Sequence, residues 1–311
     1  MNPIVTLTLN PALDLETEVE RIVPDHKLRC APPRRNPGGG GINVARMVHH
    51  LGGHATAVYL SGGPTGDTIG ALLDEEGVDR LAMPASGTTR QSLNVVERAS
   101  GHEFRFVLPG SDLSALDWDD LAERLGEEAK DVDWLVASGS LPPGAPDDIY
   151  RRVAMAARKR STKVGIDTSG PALAHALGPG ICFVKPSLRE LSELLGRNIE
   201  GRGAVEKAAR LLVEDGRAEI VAVTLGADGA CLASRDELIW MTPPVIEPLS
   251  SVGAGDSFVA GLTLGLCRGQ SLREAGLLAM ATAAAILLTP GTKPFERRDV
   301  DRLLGAIGEA E

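Results

Sequence analysis

Short, almost wholly apolar runs alternate with amphipathic stretches along most of this 311-residue chain. "IVTLTL" (Ile4 to Leu9) is followed by "GINVARMVHHLGG", where Ile42, Ala45, Val48 and Leu51 recur at helical spacing and a Gly-Gly pair stops the helix. "TAVYL" then precedes "GDTIGALLDEEGV", a helix ended by Gly77. The second half repeats the pattern, with strands "VDWLVA", "KVGID", "ICFVK" and "EIVAVT" and helices such as "AVEKAARLLVEDG". Strands apolar on both faces must be covered on both faces, and strands joined through a helix run parallel. The expected fold is therefore α/β, with a mainly parallel sheet between two helical layers.

Two segments break the rhythm. Residues 14–35 and 88–108 alternate without helices: "LETEVERIV", then "RQSLNVVERASGHEFRFVL" with "ASGHE" as a hairpin turn. They are expected to form a small β-sheet lying over the main one, like a lid. A sheet of that kind has an uncovered face, so it either closes over a ligand or pairs with the same sheet of a second subunit. No repeat, low-complexity tract or long linker divides the chain, so residues 1–311 read as one domain with the lid segments inserted.

Charge and composition remove several classes of function. A net charge of −10 and 3% aromatic residues argue against a nucleic-acid partner, which calls for a basic footprint or stacking platforms. Anionic small substrates stay open, because a local group of Arg and Lys can reverse the field inside a cleft. The longest apolar run, Ala275 to Leu288, is 14 residues, too short for a bilayer and suited to a buried helix. "MNPIVTLTLNP" lacks the basic and apolar regions of a signal peptide, and Cys30, Cys182, Cys231 and Cys267 are dispersed, as in a reducing cytoplasm.

Two glycine-rich stretches carry the chemistry. "NPGGGGIN" (Asn36 to Asn43) sets four glycines before a helix, where backbone can approach a ligand closely; the same run also suits a plain helix entry. It matches neither the dinucleotide-binding fingerprint nor the P-loop, which disfavours a nicotinamide-dependent oxidoreductase. "SSVGAGDSFVAG" (Ser250 to Gly261) is more specific. Gly253, Ala254 and Gly255 would turn their amides into a concave anion hole at a helix start, suited to a phosphoryl group. Asp256 at its rim would orient an incoming hydroxyl and take its proton. The helix terminus is expected to hold its pKa low, leaving a weak base that phosphoryl transfer tolerates.

"GAGDSFVAG" together with "PGGGGINVAR" resembles the paired signatures of the ribokinase-like (PfkB) carbohydrate kinases, and "TLTLNPALD", "TRQ", "SGSLPPG", "KPSLREL" and "VTLGADGA" fall in that family's order along essentially the whole chain. The resemblance implies a ribokinase-like three-layer α/β/α core. "TLNPALD", "GINVAR" and "SGSLPPG" are similar to the branch acting on sugar phosphates. Gly40 stands where 1-phosphofructokinases and tagatose-6-phosphate kinases carry lysine, so the chain resembles the minor (type II) bacterial 6-phosphofructokinases. The implied activity is ATP-dependent phosphorylation of fructose 6-phosphate at O1, a glycolytic step. Tagatose-6-phosphate kinase and 1-phosphofructokinase are the alternatives, and a non-catalytic sensor of sugar phosphate or nucleotide is the rival from another class.

Carried over by resemblance, Asp256 is the catalytic base. Asp14, Gly39 and Asn43 hold sugar hydroxyls, while Arg90, Lys27, Arg105 and Ser140 hold the existing phosphate. Taken without the resemblance, a solvated sheet face is the favoured reading of Arg90 and Arg105. Lys185, Ser187, Thr224, Gly226 and Gly229 contact ATP, and Glu190 acts on Mg²⁺ through water. Ser187 departs from the family's usual asparagine. Carbonyls around Ser250, Val252, Ile286, Thr289 and Gly291 match a monovalent-cation site, which K⁺ would fill. A homodimer through the lid sheets is implied as well.

Overall fold

The computed structural model describes residues 4–250, 252–289, 291 and 293–309. In chain order its elements begin β1 (Ile4–Thr8), β2 (Ala12–Val19), β3 (Arg34–Gly38), α1 (Gly40–His50), β4 (Ala55–Ser61), α2 (Gly63–Glu75), β5 (Asp79–Pro84), β6 (Arg90–Glu97) and β7 (Glu103–Val107). Then come α3 (Trp118–Glu128), β8 (Trp134–Ser138), α4 (Ile149–Arg158), β9 (Lys163–Asp167), α5 (Gly170–Ala176), β10 (Phe183–Val184), α6 (Leu188–Leu195) and α7 (Arg202–Glu214). The chain finishes with β11 (Ile220–Thr224), β12 (Ala230–Ala233), β13 (Leu238–Met241), α8 (Ala254–Cys267), α9 (Leu272–Leu287) and α10 (Arg297–Glu309).

Nine strands form the main sheet in the order β13-β12-β11-β10-β9-β8-β1-β4-β5, parallel except for the antiparallel β11-β12-β13 edge. Its two faces fill from alternate residues of each strand. Ile4, Ala57, Tyr59, Trp134 and Val136 join one core with α1, α8, α9 and α10. Val5, Leu7, Val58, Leu135 and Ala137 join the other with α3, α4, α5 and α7. This is the three-layer α/β/α arrangement that the strand–helix alternation requires.

A second sheet of four strands, ordered β3-β2-β6-β7, takes in both interruptions and runs past the first, since β2 begins at Ala12 and β3 ends at Gly38. β2 runs antiparallel to β3 and parallel to β6, with Asp14 opposite Asn36 and Ser92, and β6 pairs antiparallel with β7. The first segment is less regular than its alternation suggests. β2 ends at Val19, and residues 20–33 form a loop carrying Pro24, Pro32, Pro33 and Asp25 at φ 61°. Proline supplies no ladder donor, so strand pairing stops there. β10 is likewise cut to two residues, with Pro186 close behind.

α8 places the functional loop and is seated by close helix–helix approach. A methyl group on Gly261 would come within 2.6 Å of the Ala279 Cα on α9, and one on Gly265 within 2.7 Å of the Ala275 Cα. Backbone meets backbone along this line, so the start of α8 is fixed by packing several turns away. Gly261→Ala is expected to destabilise the fold by roughly 1–3 kcal/mol through overpacking. Chemical denaturation checks it, and an unchanged midpoint would mean that the two helices separate freely.

Candidate active site

The four-glycine run and the Gly253–Gly255 run meet at the C-terminal ends of the parallel strands, although they are more than 200 residues apart in sequence. α1 starts here because the Thr8 hydroxyl, at the end of β1, accepts the Ile42 amide at 2.8 Å. Gly39 is the N-cap at φ 119°. Gly40 lies so close to β8 that a side chain there would meet the Gly139 amide at 2.8 Å as well as Ser138. A lysine at this position would displace that backbone.

Opposite, Gly253 caps α8 in the left-handed region at φ 81°. Helical bonding begins with Ser257 N–H to the Gly253 carbonyl, which leaves the amides of residues 254–256 ahead of the first closed turn. Asp256 stands in that turn, and its Oδ2 accepts the Asn43 Nδ2–H at 2.8 Å. Behind the loop, Lys185 Nζ lies 3.7 Å from where a Cβ on Gly255 would sit, and it pairs with Asp167 Oδ1 at 3.0 Å. Asp167, at the end of β9, was not among the residues read from sequence.

The remaining nucleotide-side candidates gather beside this pair. Ser187 is the N-cap of α6 in a reciprocal capping box: its hydroxyl accepts the Glu190 amide at 3.3 Å, and Glu190 Oε2 accepts the Ser187 amide at 2.8 Å. Serine caps a helix as well as asparagine does, so the departure at 187 keeps the local structure. Ser187 also bridges to Thr224, whose amide donates to the Pro186 carbonyl at 3.0 Å. Gly226 opens the 3₁₀ turn between β11 and β12 and Gly229 closes it, both at positive φ.

Three of the sugar-side candidates line two pockets, while Gly39, Asn43 and Ser140 line neither. The first is lined by Asp14, Asn36, Ser92, Asn94, Arg105 and Gly291. The second is lined by Arg90, Asn10, Thr88, Thr89 and Ser111. Arg90 Nε and Nη2 donate to the Asn10 carbonyl at 3.3 and 3.2 Å, and the Asn10 amide donates to Ser140 Oγ at 3.2 Å. Arg90 and Ser140 thus share a neighbour, Asn10, that sequence reasoning left unassigned. Lys27 lies exposed on the 20–33 loop and lines neither cavity.

The loops suggested for a monovalent cation do adjoin. The Leu249 amide donates to the Leu287 carbonyl at 2.7 Å, and the Ser250 hydroxyl accepts the Val252 amide at 3.2 Å. The Ile286 carbonyl accepts from the Thr289 hydroxyl at 2.8 Å. Gly291 sits against Glu16 of β2, whose carboxylate would lie 2.6 Å from an added Cβ.

Electrostatics overturn one expectation. The Asp256 carboxyl is not held low by the helix start; it is pushed up to about 7. Burial is the largest cause, the Asp167 and Asp14 carboxylates add to it, and the Asn43 hydrogen bond and Lys185 pull back only part of the way. Asp14 is likewise raised by burial to about 6, against Arg90, Arg105 and Arg46. Burial draws Lys185 down, but Asp167, Glu190 and Asp256 outweigh it and keep the ammonium protonated.

Fold and site together define a carbohydrate kinase. The pfkB family carbohydrate kinase model matches residues 2–297, and the chain belongs to that family. Among curated proteins it is 44% identical over 306 residues to the ATP-dependent 6-phosphofructokinase isozyme 2 of Mycobacterium tuberculosis, covering 98% of this chain and 90% of that one. It is 41% identical over 302 residues to the protein of the same name from Escherichia coli, covering 96% and 97%. Phosphofructokinase-2 from Escherichia coli in complex with potassium superposes with a TM-score of 0.94 at 40% identity, covering 99% of this chain and 100% of that one. The same enzyme in complex with fructose-6-phosphate gives 0.92 at 39% identity with the same coverage.

The raised Asp256 value has a stability consequence whose sign is fixed. Its ordinary value is 3.8 and its folded value about 7, so between these the unfolded chain releases a proton that the folded chain keeps. The fold loses stability over that window, and the loss is complete above it. Asp256→Asn removes the penalty, and on the order of 3 °C gain in Tm is expected at pH 8, fading below pH 4. Thermal unfolding at both pH values checks this; an equal gain at both would point to packing instead of charge.

Proposed function

We propose that the protein transfers the γ-phosphoryl group of ATP to O1 of fructose 6-phosphate, giving ADP and fructose 1,6-bisphosphate, in the cytoplasm. The observation that carries this reading is the Asn43–Asp256 hydrogen bond at 2.8 Å, made at the mouth of the Gly253–Gly255 turn and backed by Lys185. A carboxylate, a cluster of outward amides and a protonated lysine converge where a hydroxyl and a phosphate would meet. The names of the relatives supply the substrate pair, and the close fit of Gly40 against Gly139 leaves no space for the lysine of the alternative sugar-phosphate kinases.

In this reading Asp256 orients the O1 hydroxyl and receives its proton as the O1–phosphorus bond forms. The bond from the γ-phosphorus to the bridging oxygen breaks, and ADP leaves with that electron pair. The amides of Gly253, Ala254 and Gly255 and the ammonium of Lys185 meet the charge on the moving group; a loose transition state rewards such alignment more than early deprotonation. A value near 7 also makes Asp256 a better-matched base than an ordinary carboxylate at neutral pH. Asp14, Gly39 and Asn43 read the sugar hydroxyls. Arg90 and Ser140, with Arg105 and Lys27, hold the 6-phosphate.

Ser187, Thr224, Gly226 and Gly229 line the nucleotide. Glu190 fits a water-mediated role toward Mg²⁺, because the Ser187 amide ties its carboxylate back at one oxygen beside Lys185. When bound, Mg²⁺ neutralises charge on the nucleotide phosphates. The adjoining loops at Ser250, Val252, Ile286, Thr289 and Gly291 offer carbonyls to K⁺. The small sheet over residues 14–35 and 88–108 acts as the lid of a single kinase domain. Phe104 and Phe106, 36% and 50% exposed on one face of its edge strand β7, give a second copy an apolar face to cover, forming a homodimer.

Purified protein offered ATP with a panel of free and phosphorylated ketohexoses is expected to prefer fructose 6-phosphate, read as coupled ADP release. Preference for free fructose, tagatose 6-phosphate or fructose 1-phosphate would overturn the substrate assignment, and no release with any sugar would favour a sensor. Asp256→Asn is expected to lower kcat by about 10³-fold or more while nucleotide affinity holds. Arg90→Ala is expected to raise KM for the sugar phosphate about tenfold or more, with a smaller change in KM for ATP.

A further inference from the structure

Arg46 follows Asn43 by three residues on α1, so the two share a helix face, and its side chain is completely buried. A buried guanidinium has several donors to satisfy and no acceptor to offer. One edge is taken by Glu76, just past α2: Nε and Nη2 donate at 2.7 Å each to the two carboxylate oxygens. Nη1 turns the other way, to the Pro37 carbonyl at 3.3 Å and Asn43 Oδ1 at 3.4 Å. The opposite end of the Asn43 amide donates to Asp256.

That arrangement leaves the amide one orientation. Turned over, it would aim N–H groups at a donor-only guanidinium and its oxygen at a carboxylate. We infer that Arg46, anchored by Glu76, is a positioning residue for phosphoryl transfer: it fixes the Asn43 amide so that a donor always faces Asp256. The inference rests on the role proposed above for Asp256. A role in the fold alone would be met by Glu76 and the Pro37 carbonyl without the Asn43 contact, and such buried pairs contribute little compared with apolar residues of similar size. Here the third donor edge points into the active site.

Asp256 also faces Asp167 from the end of β9, Lys185 after β10 and Asp14 from β2. Arg46 acts on Asp14 through charge, and Glu76 acts on His50 at the far end of α1. Losing the Asn43 donor makes Asp256 hold its proton more tightly. The rising limb of kcat/KM against pH is therefore expected to move to higher pH.

Arg46→Lys is the sharpest test, because lysine keeps the charge and the pairing with Glu76 but has no fork to span both Glu76 and Asn43. The rising limb is expected to shift up by about half to one pH unit, with KM for MgATP within about twofold of the parent. Arg46→Met combined with Glu76→Leu removes both charges and is expected to shift the limb at least as far. Asn43→Ala should reproduce the shift, and adding Arg46→Lys to it should move the limb no further. A parental profile for folded Arg46→Lys, or shifts that add, would overturn the inference. Turnover retained by Asp256→Asn would instead defeat the reading of Asp256 itself, so the two failures are separable.

Discussion

Lys185 and Asp167 meet at 3.0 Å behind the first turn of α8, and much of the active site is arranged around that pair. A protonated lysine in so enclosed a place needs carboxylates, and three approach it: Asp167, Glu190 and Asp256. Asp167 is its direct partner. Glu190 is tied back to the Ser187 amide, and Asp256 is bound by Asn43. The cation is thus held ready on the wall behind the glycine turn while the carboxylate that would do the chemistry stays at its mouth. Such preorganisation places charge before the reaction needs it and avoids reorganisation during the reaction.

The same crowding sets the condition of Asp256. Burial and neighbouring acids push its carboxyl toward neutrality, a cost to the fold above that range and an advantage to a base working near it. Asp256 does stand in the first turn of α8, as the sequence suggested, but its surroundings decide its condition. Desolvation and the charge of Asp167 outweigh the Asn43 hydrogen bond and Lys185. Strain of this kind is expected where function competes with stability.

Much of the architecture was legible because its signals are local. Apolar alternation gave the main sheet, and the two interruptions gave the small one. The glycines before Asp256 pointed to backbone exposed for a ligand. What escaped was long-range: Asn43 and Asp256 lie 213 positions apart, and nothing local in "GINVAR" says that its arginine turns inward to Glu76. Asp167 closes an ordinary-looking strand, and Asn10 acts through its carbonyl, which no side-chain pattern reveals. Lys27 illustrates the reverse limit, since within one chain it stays exposed on the loop after β2. The strand expected through residue 23 stops at Val19, because the register ends before a proline-rich loop.

The central claim is geometric: bare amides at 253–255 receive the migrating phosphoryl group while Asp256 aims the sugar oxygen at it. A crystal structure with a non-hydrolysable ATP analogue, Mg²⁺ and fructose 6-phosphate tests it most directly. The account requires the terminal phosphate within hydrogen-bonding distance of those amides and the sugar's O1 between it and the Asp256 carboxylate. A terminal phosphate directed away from the turn, or an O1 remote from Asp256 in the fully loaded complex, would contradict it.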